Sequence, residues 1–293
     1  METMEKYYEH LHLRTFDEAL RTAPITADSL IFTSGRKAEK LDGIWKCMPD
    51  VFDTLTRKQL FSGREKEDSN GMKIPSDYRF GDGFDAEVPG CWNLVDPAFF
   101  LYEGSTAYAR HFTYYQDNAD DRVFLRIGAA NYECRIFLNG EYIGRHLGGF
   151  TPFCAELTGK LQHENELMII VNNRRSFEQV PSENYDWFNY GGITRSVALY
   201  EVPSAFIKDF QIELVPDGTF SHIKARVKAE GKLTDGVIRI PALGVEKAFT
   251  FENGQVSVDI EASPELWSPD SPVLYDVSVE AGNDRVSDRV GFR

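Results

Sequence analysis

Metal-binding clusters and a disulfide framework are not apparent in this sequence, which has only four cysteines and six histidines among 293 residues. The cysteines are widely spaced, at Cys47, Cys91, Cys134 and Cys154. This spacing matches neither a CxxC metal site nor a dense disulfide scaffold, so we expect free, mostly buried thiols. Only His10 and His12 are close neighbours, which is too little for a metal site. No P-loop or dinucleotide fingerprint occurs either, and we predict no metal and no other cofactor.

Long apolar runs and a surplus of positive charge are missing as well. The most apolar run, Leu167–Val171, is far shorter than the roughly 18 to 20 residues that cross a bilayer. The 46 acidic residues outnumber the 32 basic ones, and the net charge of -14 disfavours binding to nucleic acid or anionic lipid. The amino terminus lacks the apolar core of a secretory signal. We therefore expect a cytoplasmic protein without nucleic-acid or membrane partners.

What the sequence does contain is alternation of apolar and polar residues with a period of two, which is typical of β-strands. Residues 122–127 and 134–138 alternate in this way, and the second run is followed by Asn139-Gly140. Asn-Gly tolerates positive φ at both central positions of a type I′ turn, so this pair predicts an antiparallel hairpin. A further predicted strand at 165–172 leads into a long loop at 173–190.

The last third of the chain contains seven short alternating segments separated by turn residues. Their ranges are 205–215, 220–230, 236–240, 247–251, 255–261, 273–281 and 285–292. Seven such strands predict an immunoglobulin-like sandwich, here without the cysteine pair of antibody domains. Val202–Ser204 would be the boundary before this domain. We predict an N-terminal extension at 1–40, a first sandwich at 41–203 and the immunoglobulin-like domain at 204–293.

Two stretches give weaker expectations. Residues 47–88 look polar and irregular, so we expect an elaborated surface loop there, with a short helix near residues 53–60. Weak helical patterning occurs at 16–22, and we predict little other order before residue 41.

Seven short motifs occur along residues 41–293. They are LDGIWK at 41–46, VPGCWN at 88–93, YEGSTAYARHF at 102–112, LNGEYIGRHLGGFTPF at 138–153, NYGGITR at 189–195, LWSPDSPVLY at 266–275 and GFR at 291–293. In this order and spacing they resemble glycoside hydrolase family 2, the β-galactosidase and β-glucuronidase family. Most motif residues are structural on physical grounds, because glycines supply turns and close backbone approach while large aromatics fill cores.

The resemblance implies a jelly-roll sandwich of the sugar-binding type followed by an immunoglobulin-like sandwich, so we expect an all-β fold. In this family both catalytic glutamates belong to a barrel, which would begin after Arg293. Retaining enzymes need two carboxyl groups about 5 to 5.5 Å apart. Glu164 and Glu166 are close in sequence, but we interpret them as the solvated face of a turn and strand. We predict no catalytic residue, and we expect the isolated chain to be inactive.

Asp186 is the leading candidate for contact with a substrate. In the resembled family, the aspartate before the Asn-Tyr-Gly-Gly segment reaches into the active site of the barrel, which implies the same role for Asp186. A carboxylate accepts two or more hydrogen bonds, and sugar hydroxyls are donors arranged in pairs. Trp187, Asn189 and Tyr190 are weaker candidates at the same rim, as is Phe188. An Asx turn or an ordinary loop acid is the alternative interpretation of Asp186.

Three functional hypotheses follow. The first is the non-catalytic N-terminal region of a retaining β-glycosidase of carbohydrate metabolism, with a catalytic barrel in the same native chain, a carbohydrate substrate and a homo-oligomeric full-length enzyme. The loop motifs look slightly closer to β-glucuronidases than to β-galactosidases. The second hypothesis is a freestanding carbohydrate-binding module whose exposed aromatics stack on sugar rings. The third is a purely structural scaffold for subunit association.

Overall fold

The computed structural model describes residues 24–55 and 83–293. These residues form nineteen strands and four 3₁₀ helices of 3 residues each, which confirms the predicted all-β fold. The helices are Ala27–Ser29, Trp92–Leu94, Pro97–Phe99 and Pro241–Leu243. The helix predicted at 53–60 lies mostly outside the described residues, and the one at 16–22 lies wholly outside them.

The described residues divide into two compact units. The first unit holds residues 24–29, 39–55, 83–115 and 124–199, and the second holds Leu30–Ala38, Gln116–Val123 and Tyr200–Arg293. The second unit therefore includes two segments that precede its main run in the sequence. The predicted domain boundaries, at residues 40 and 203, stay a prediction.

The strands up to Val202 form three sheets. Their bounds are β1 Ala38–Lys40, β2 Gly43–Asp50, β3 Phe84–Val88, β4 Ser105–Thr113, β5 Arg122–Ile127, β6 Ala130–Asn131, β7 Glu133–Leu138, β8 Glu141–Leu147, β9 Phe153–Glu156, β10 Glu164–Asn172, β11 Gly192–Ile193 and β12 Val197–Val202. The strand orders are β1-β12-β5-β9, β3-β2-β4-β10-β7-β8 and β11-β6. This arrangement of two larger sheets is the predicted jelly-roll-like sandwich.

Strand β10 explains the most apolar run of the sequence. It pairs antiparallel with β4 on one side and β7 on the other. All of Leu167–Val171 is buried, and Met168 and Ile170 pack with Leu55 and Phe137. Because both faces of the sheet are covered here, consecutive apolar residues replace the alternation of a half-exposed strand.

The hairpin predicted at Asn139-Gly140 is confirmed. Strands β7 and β8 pair antiparallel around it, with Leu138 opposite Glu141. Asn139 has a φ of 52° and Gly140 a φ of 79°, and a type I′ turn requires positive φ at both positions. The Asn139 side chain also accepts a hydrogen bond from the Glu166 backbone N–H at 2.9 Å, so the turn is tied to β10.

The prediction of an irregular stretch at 47–88 was wrong at both of its ends. Strand β2 runs through residue 47 and pairs antiparallel with β3. Lys46 and Asp85 lie opposite each other on the exposed face and form an ion pair of 2.7 Å, whereas Trp45 is buried on the other face. Polar residues of the stretch such as Asp85 and Glu87 thus belong to the exposed face of a strand pair. Residues 56–82 are outside the described ranges.

The seven strands predicted for the second unit are confirmed. Their bounds are β13 Phe206–Leu214, β14 His222–Glu230, β15 Asp235–Ile240, β16 Val245–Thr250, β17 Gln255–Glu261, β18 Tyr275–Ala281 and β19 Asp284–Val290. They form sheets of order β13-β14-β17 and β16-β15-β18-β19. Alternate residues point into one core, such as Ile223, Ala225 and Val227 of β14 and Val277 and Val279 of β18. This is an immunoglobulin-like sandwich.

Residues 30–38 are also fixed in the second unit, although sequence patterning predicts little order there. The Phe32 N–H donates to the Lys208 carbonyl at 2.8 Å, and the Phe32 ring meets the Phe210 ring edge-on at 5.9 Å between centroids. The Ser287 N–H donates to the Ser34 carbonyl at 3.3 Å. The segment therefore adds backbone and side-chain contacts to both sheets of the sandwich.

A buried ion pair anchors this segment. Both nitrogens of the Arg36 fork bind the Asp284 carboxylate, at 2.5 and 2.7 Å, and the two side chains are only 5% and 3% exposed. Arg36 also donates to the carbonyls of Phe32 at 2.8 Å and Ile207 at 3.0 Å. The Ile207 N–H donates to Asp284 at 2.7 Å. These hydrogen bonds compensate for the loss of water around the two charges.

Candidate functional site

The loop at residues 173–190 runs without strand structure between β10 and β11. Its two ends are joined by reciprocal hydrogen bonds. Asn173 Nδ2 donates to the Asn189 carbonyl at 2.8 Å, and Asn189 Nδ2 donates to the Asn173 carbonyl at 2.5 Å. Both asparagines are buried. The amide side chains satisfy backbone groups that strand pairing would otherwise satisfy, so the loop starts and ends at fixed positions.

Asn131 completes this closure from β6. Its Nδ2 donates to Asn189 Oδ1 at 3.0 Å and to the Tyr190 carbonyl at 2.5 Å. Asn189 is 5% exposed, and its side-chain oxygen and nitrogen both bond within the chain. The geometry of Asn189 is therefore that of a residue that holds the loop.

The two glycines after the loop permit close backbone contact. A Cβ on Gly191 would overlap the Trp92 indole, and the Trp92 N–H donates to the Gly191 carbonyl at 3.1 Å. The Gly191 N–H donates to Asn93 Oδ1 at 2.8 Å. Gly192 has a φ of 135°, a value that side chains disfavour. The motif residues Trp92 and Asn93 thus form the support on which the end of the loop rests.

An arginine near the start of the loop clamps its last third. Arg175 Nε donates to the two carboxylate oxygens of Glu103, at 2.9 and 3.2 Å. Its Nη1 donates to the Tyr185 carbonyl, and its Nη2 donates to the Trp187 carbonyl at 2.7 Å. These carbonyls belong to the residues on either side of Asp186, whose side chain is exposed.

Five aromatic side chains lie in this region, and we name them the aromatic rim: Phe100, Tyr185, Trp187, Phe188 and Tyr190. The rings of Tyr185 and Trp187 are stacked, with centroids 4.4 Å apart and an interplanar angle of 26°. The centroid of the Phe188 ring lies 4.4 Å from that of Tyr190 and 5.0 Å from that of Phe100. All of them except Phe188 are exposed to solvent. The rim therefore presents ordered aromatic surface to solvent.

The structure brings the sequence-predicted site residues into one loop but gives them different environments. Asp186, Trp187 and Tyr190 are exposed, whereas Asn189 is buried in the loop base. Contact of these four residues with a substrate stays a prediction. Sequence reasoning missed Arg175, which lies three residues after the end of β10 as part of an Arg-Arg pair. The Arg-Arg pair was the available signal, but the carbonyls that Arg175 binds belong to residues 10 and 12 positions further along the chain.

Other candidate chemistry is sparse in the described ranges. Glu164 and Glu166 lie at the start of β10, the end opposite to the loop. Burial raises the pKa of Glu166, and nearby His111 opposes this shift. All four cysteines are free thiols, three of them buried, and burial raises the pKa of Cys47 to about 12.

Within residues 24–55 and 83–293, no three His, Cys, Asp or Glu side chains are grouped so that they could hold a metal ion. The helices described there are all too short to cross a membrane.

Comparison with relatives gives a consistent result. A β-glucuronidase of Paenibacillus borealis is 26% identical over 271 residues, which cover 85% of this chain and 43% of the relative. A β-galactosidase of Thermoanaerobacter pseudethanolicus is 26% identical over 191 residues, 59% of this chain and 25% of the relative. The chain thus spans less than half the length of these curated relatives.

Solved structures show the same fold. A β-glucuronidase of an uncultured Clostridium species superposes with a TM-score of 0.70 at 26% identity, covering 90% of this chain and 46% of that one. A Bifidobacterium dentium β-glucuronidase complexed with coumarin-3-O-glucuronide has a TM-score of 0.70 at 22% identity, covering 92% of this chain and 49% of that one.

Family models cover most of the sequence. Residues 38–203 match the sugar binding domain of glycosyl hydrolases family 2, and residues 205–293 match the model described as glycosyl hydrolases family 2. The order of the two matches is the order of the two sandwiches in the fold. The chain therefore belongs to glycoside hydrolase family 2, of which it contains the sugar-binding-type sandwich and the immunoglobulin-like sandwich.

Proposed function

We propose that this chain is the non-catalytic N-terminal region of a retaining β-glycosidase, which orients a catalytic barrel and contributes the 173–190 loop to the substrate pocket of that barrel. The observation that carries the proposal is the exposed Asp186, which lies between the two residues whose carbonyls Arg175 binds. A loop held at its base and on each side of Asp186 is suited to place one carboxylate accurately. Family membership supports the same function.

The proposed role of Asp186 is to position the sugar. An exposed carboxylate can accept hydrogen bonds from two adjacent hydroxyls of a pyranose ring, and charge-assisted hydrogen bonds are among the stronger polar contacts. Bond cleavage requires a nucleophile and an acid/base on either side of the glycosidic bond. We assign both of these groups to the barrel. Trp187 and Tyr190 would provide aromatic surface beside the sugar, and Asn189 would hold the loop that presents it.

The aromatic rim is the proposed contact surface for the barrel. Leu101, next to Phe100 in the sequence, is 79% exposed, and Phe177, in the same loop as four of the rim residues, is 76% exposed. Contiguous exposed apolar surface marks an interaction site when it is larger than a soluble monomer normally shows. A barrel that covers the rim would remove this surface from water while leaving Asp186 at the pocket edge.

We favour a glucuronide over a galactoside as the substrate. The relatives and the superposed structures with the higher coverage bear the name β-glucuronidase, although a β-galactosidase is also among the relatives. The acidic chain offers no evident clamp for the glucuronate carboxylate, so we assign that contact to basic or amide groups of the barrel. We expect the whole enzyme to be a homo-oligomer located in the cytoplasm.

Enzyme assays test this proposal directly. The native gene would first be sequenced past the codon for Arg293, to obtain the protein that carries the barrel. We expect that protein to hydrolyse 4-nitrophenyl β-glucuronide or β-galactoside, and the purified 293-residue chain to show no activity. Hydrolysis by the purified chain above background, with no barrel present, would overturn the assignment of catalysis to the barrel.

The stacked Tyr185–Trp187 pair also favours a second candidate, a carbohydrate-binding module that acts alone. Aromatic faces of this kind bind sugar rings in many modules, and two are exposed here. Isothermal titration of the chain with glucuronides, galactosides and oligosaccharides separates the candidates. The module hypothesis predicts saturable binding that a Trp187→Ala change abolishes, whereas the proposed function predicts no binding by the chain alone.

A further inference from the structure

Asp186 lies in a loop that has no regular backbone pairing, so its position depends on side chains that bind loop carbonyls. Arg175 is the residue that binds the carbonyl on each side of it, those of Tyr185 and Trp187. The Tyr185 carbonyl lies in the peptide plane that immediately precedes the Cα of Asp186, and the Trp187 carbonyl lies in the second peptide plane after it. Fixing a plane on each side of Asp186 restricts the backbone rotations that set the direction of its side chain.

We propose that Arg175 is a positioning residue for Asp186, and that Glu103 holds the Arg175 guanidinium in place. This inference rests on the proposed function, because it assigns Arg175 to the substrate-contacting loop. Arg175 itself does not contact the sugar. Its effect on turnover passes through the backbone around Asp186.

The geometry requires arginine. The planar guanidinium uses one edge for Glu103 and the two terminal nitrogens for two carbonyls that are two residues apart. A lysine ammonium carries the same charge but lacks this rigid fork, so it cannot hold all three groups in the same arrangement. The Arg175 side chain is 18% exposed and that of Glu103 is 30% exposed, which leaves the clamp partly shielded from water.

The clamp is anchored to the same strip of chain as the base of the loop. Glu103 precedes Gly104, whose N–H donates to Asn173 Oδ1 at 2.9 Å. The Asn173 N–H donates back to the Gly104 carbonyl at 3.2 Å. Glu103 is therefore fixed relative to the point where the loop begins. Arg175 connects Glu103 to the carbonyls of Tyr185 and Trp187, so the residues around Asp186 are held relative to the same point.

The first test uses the 293-residue chain labelled with 5-fluorotryptophan. Its four tryptophans give separate fluorine NMR signals, and they are Trp45, Trp92, Trp187 and Trp267. We expect Arg175→Lys to shift or broaden the Trp187 signal alone, because the carbonyl of Trp187 loses its partner. Arg174→Lys is the matched control, since Arg174 is exposed and adjacent. An unchanged Trp187 signal in Arg175→Lys would overturn the proposal.

The second test uses the barrel-carrying protein and compares Arg175→Lys, Asp186→Ala and the double variant. A displacement of about 1 Å at a reacting group can cost about 100-fold in rate, so we expect Arg175→Lys to lower kcat/KM by about 10- to 100-fold. The double variant should be no slower than Asp186→Ala, because Arg175 acts only through Asp186. A merely structural residue would instead give additive losses and a lower melting temperature.

The outcomes separate the two proposals. If Asp186→Ala lowers kcat/KM and Arg175→Lys does not, the proposed function stands and the role of Arg175 is wrong. Additive losses in the double variant also contradict positioning. If Asp186→Ala leaves kcat/KM unchanged, the proposed function fails and the positioning role fails with it, whatever the fluorine signals show.

Discussion

Two of the arginine–carboxylate pairs among the described residues also bind backbone carbonyls, Arg36–Asp284 in the second unit and Arg175–Glu103 in the first, and they differ in burial. Arg36 and Asp284 of the second unit are 5% and 3% exposed, whereas Arg175 and Glu103 of the first unit are 18% and 30% exposed. Both arginines bind one carboxylate and two backbone carbonyls. The two clamps therefore have the same chemistry but should differ in their contribution to stability. Burial determines how much free energy of unfolding is lost when a clamp is broken.

The surroundings of the clamps differ in the same way. Arg36 lies with Phe32 against a sandwich core, and its partners fix a segment that comes from a distant part of the sequence. Arg175 lies under an exposed loop with the aromatic rim around it. The buried clamp holds the fold of its unit, and the partly exposed clamp holds a surface that we propose to be functional.

Breaking the buried clamp should have the largest effect on stability. Arg36→Met leaves the Asp284 carboxylate buried without its counter-charge, and removing one partner of a buried pair costs about 3 to 5 kcal/mol. Urea unfolding followed through the fluorine signal of Trp267, in the second unit, measures the loss. The double variant Arg36→Met/Asp284→Asn should recover part of it. A loss below about 1 kcal/mol would show that the pair is not a stabilising anchor.

Gly191→Ala should have the next largest effect. The added methyl overlaps the Trp92 indole, and overpacking of this kind costs about 1 to 3 kcal/mol. The Trp92 fluorine signal should shift and the first unit should unfold at lower urea. Trp92→Phe supplies the control, because the smaller ring leaves room for the methyl. Equal costs of Gly191→Ala in both backgrounds would contradict the steric explanation.

Breaking the partly exposed clamp should cost much less. Ion pairs that water still reaches contribute about 0 to 1 kcal/mol and a hydrogen bond about 1 kcal/mol, so Arg175→Met should lower the free energy of unfolding of the first unit by about 1 to 2 kcal/mol. Amide hydrogen exchange should nevertheless accelerate at residues 185–187. A loss as large as that of Arg36→Met would remove the distinction between the two clamps.

The smallest expected effect is at Glu166, away from both clamps. Burial raises the pKa of its carboxyl in the folded protein, with His111 opposing the shift. The folded state then binds more protons than the unfolded state between the two pKa values, so stability falls as pH rises through that window. Glu166→Gln should be more stable than the wild type at neutral pH and lose less stability as the pH rises through that window. Urea unfolding of the two proteins at several pH values measures the difference.

Much of the fold could be predicted because strands leave local patterns. The alternation in residues 122–127, the Asn139-Gly140 turn and the seven segments of the second unit all depend on neighbours within a few positions. The error at 47–88 has the same origin, since a strand with one charged face looks like a loop when its partner strand lies outside the window. Which face of a strand is buried depends on its pairing with residues that are distant in the sequence. Such pairing leaves no pattern in the neighbouring residues.

The site was less predictable for the same reason. Arg175 and Glu103 are 72 positions apart, and Asn131 and Asn189 are 58 apart. No periodicity connects such pairs. Asp186 could be proposed from the motif after it, but the burial of Asn189 and the contacts of Arg175 depend on how the loop folds back on its own base.

The most direct test of the central claim is the effect of Asp186→Ala on kcat/KM of the barrel-carrying protein with an aryl β-glucuronide, with Asp186→Asn as the isosteric comparison. A hydrogen bond to a charged group contributes about 1.5 to 3 kcal/mol, so losing it should lower kcat/KM by about 10- to 100-fold. Asp186→Asn should fall between the wild type and Asp186→Ala. Unchanged kcat/KM in Asp186→Ala, with the enzyme folded and active, would contradict the claim that this loop contributes to the substrate pocket.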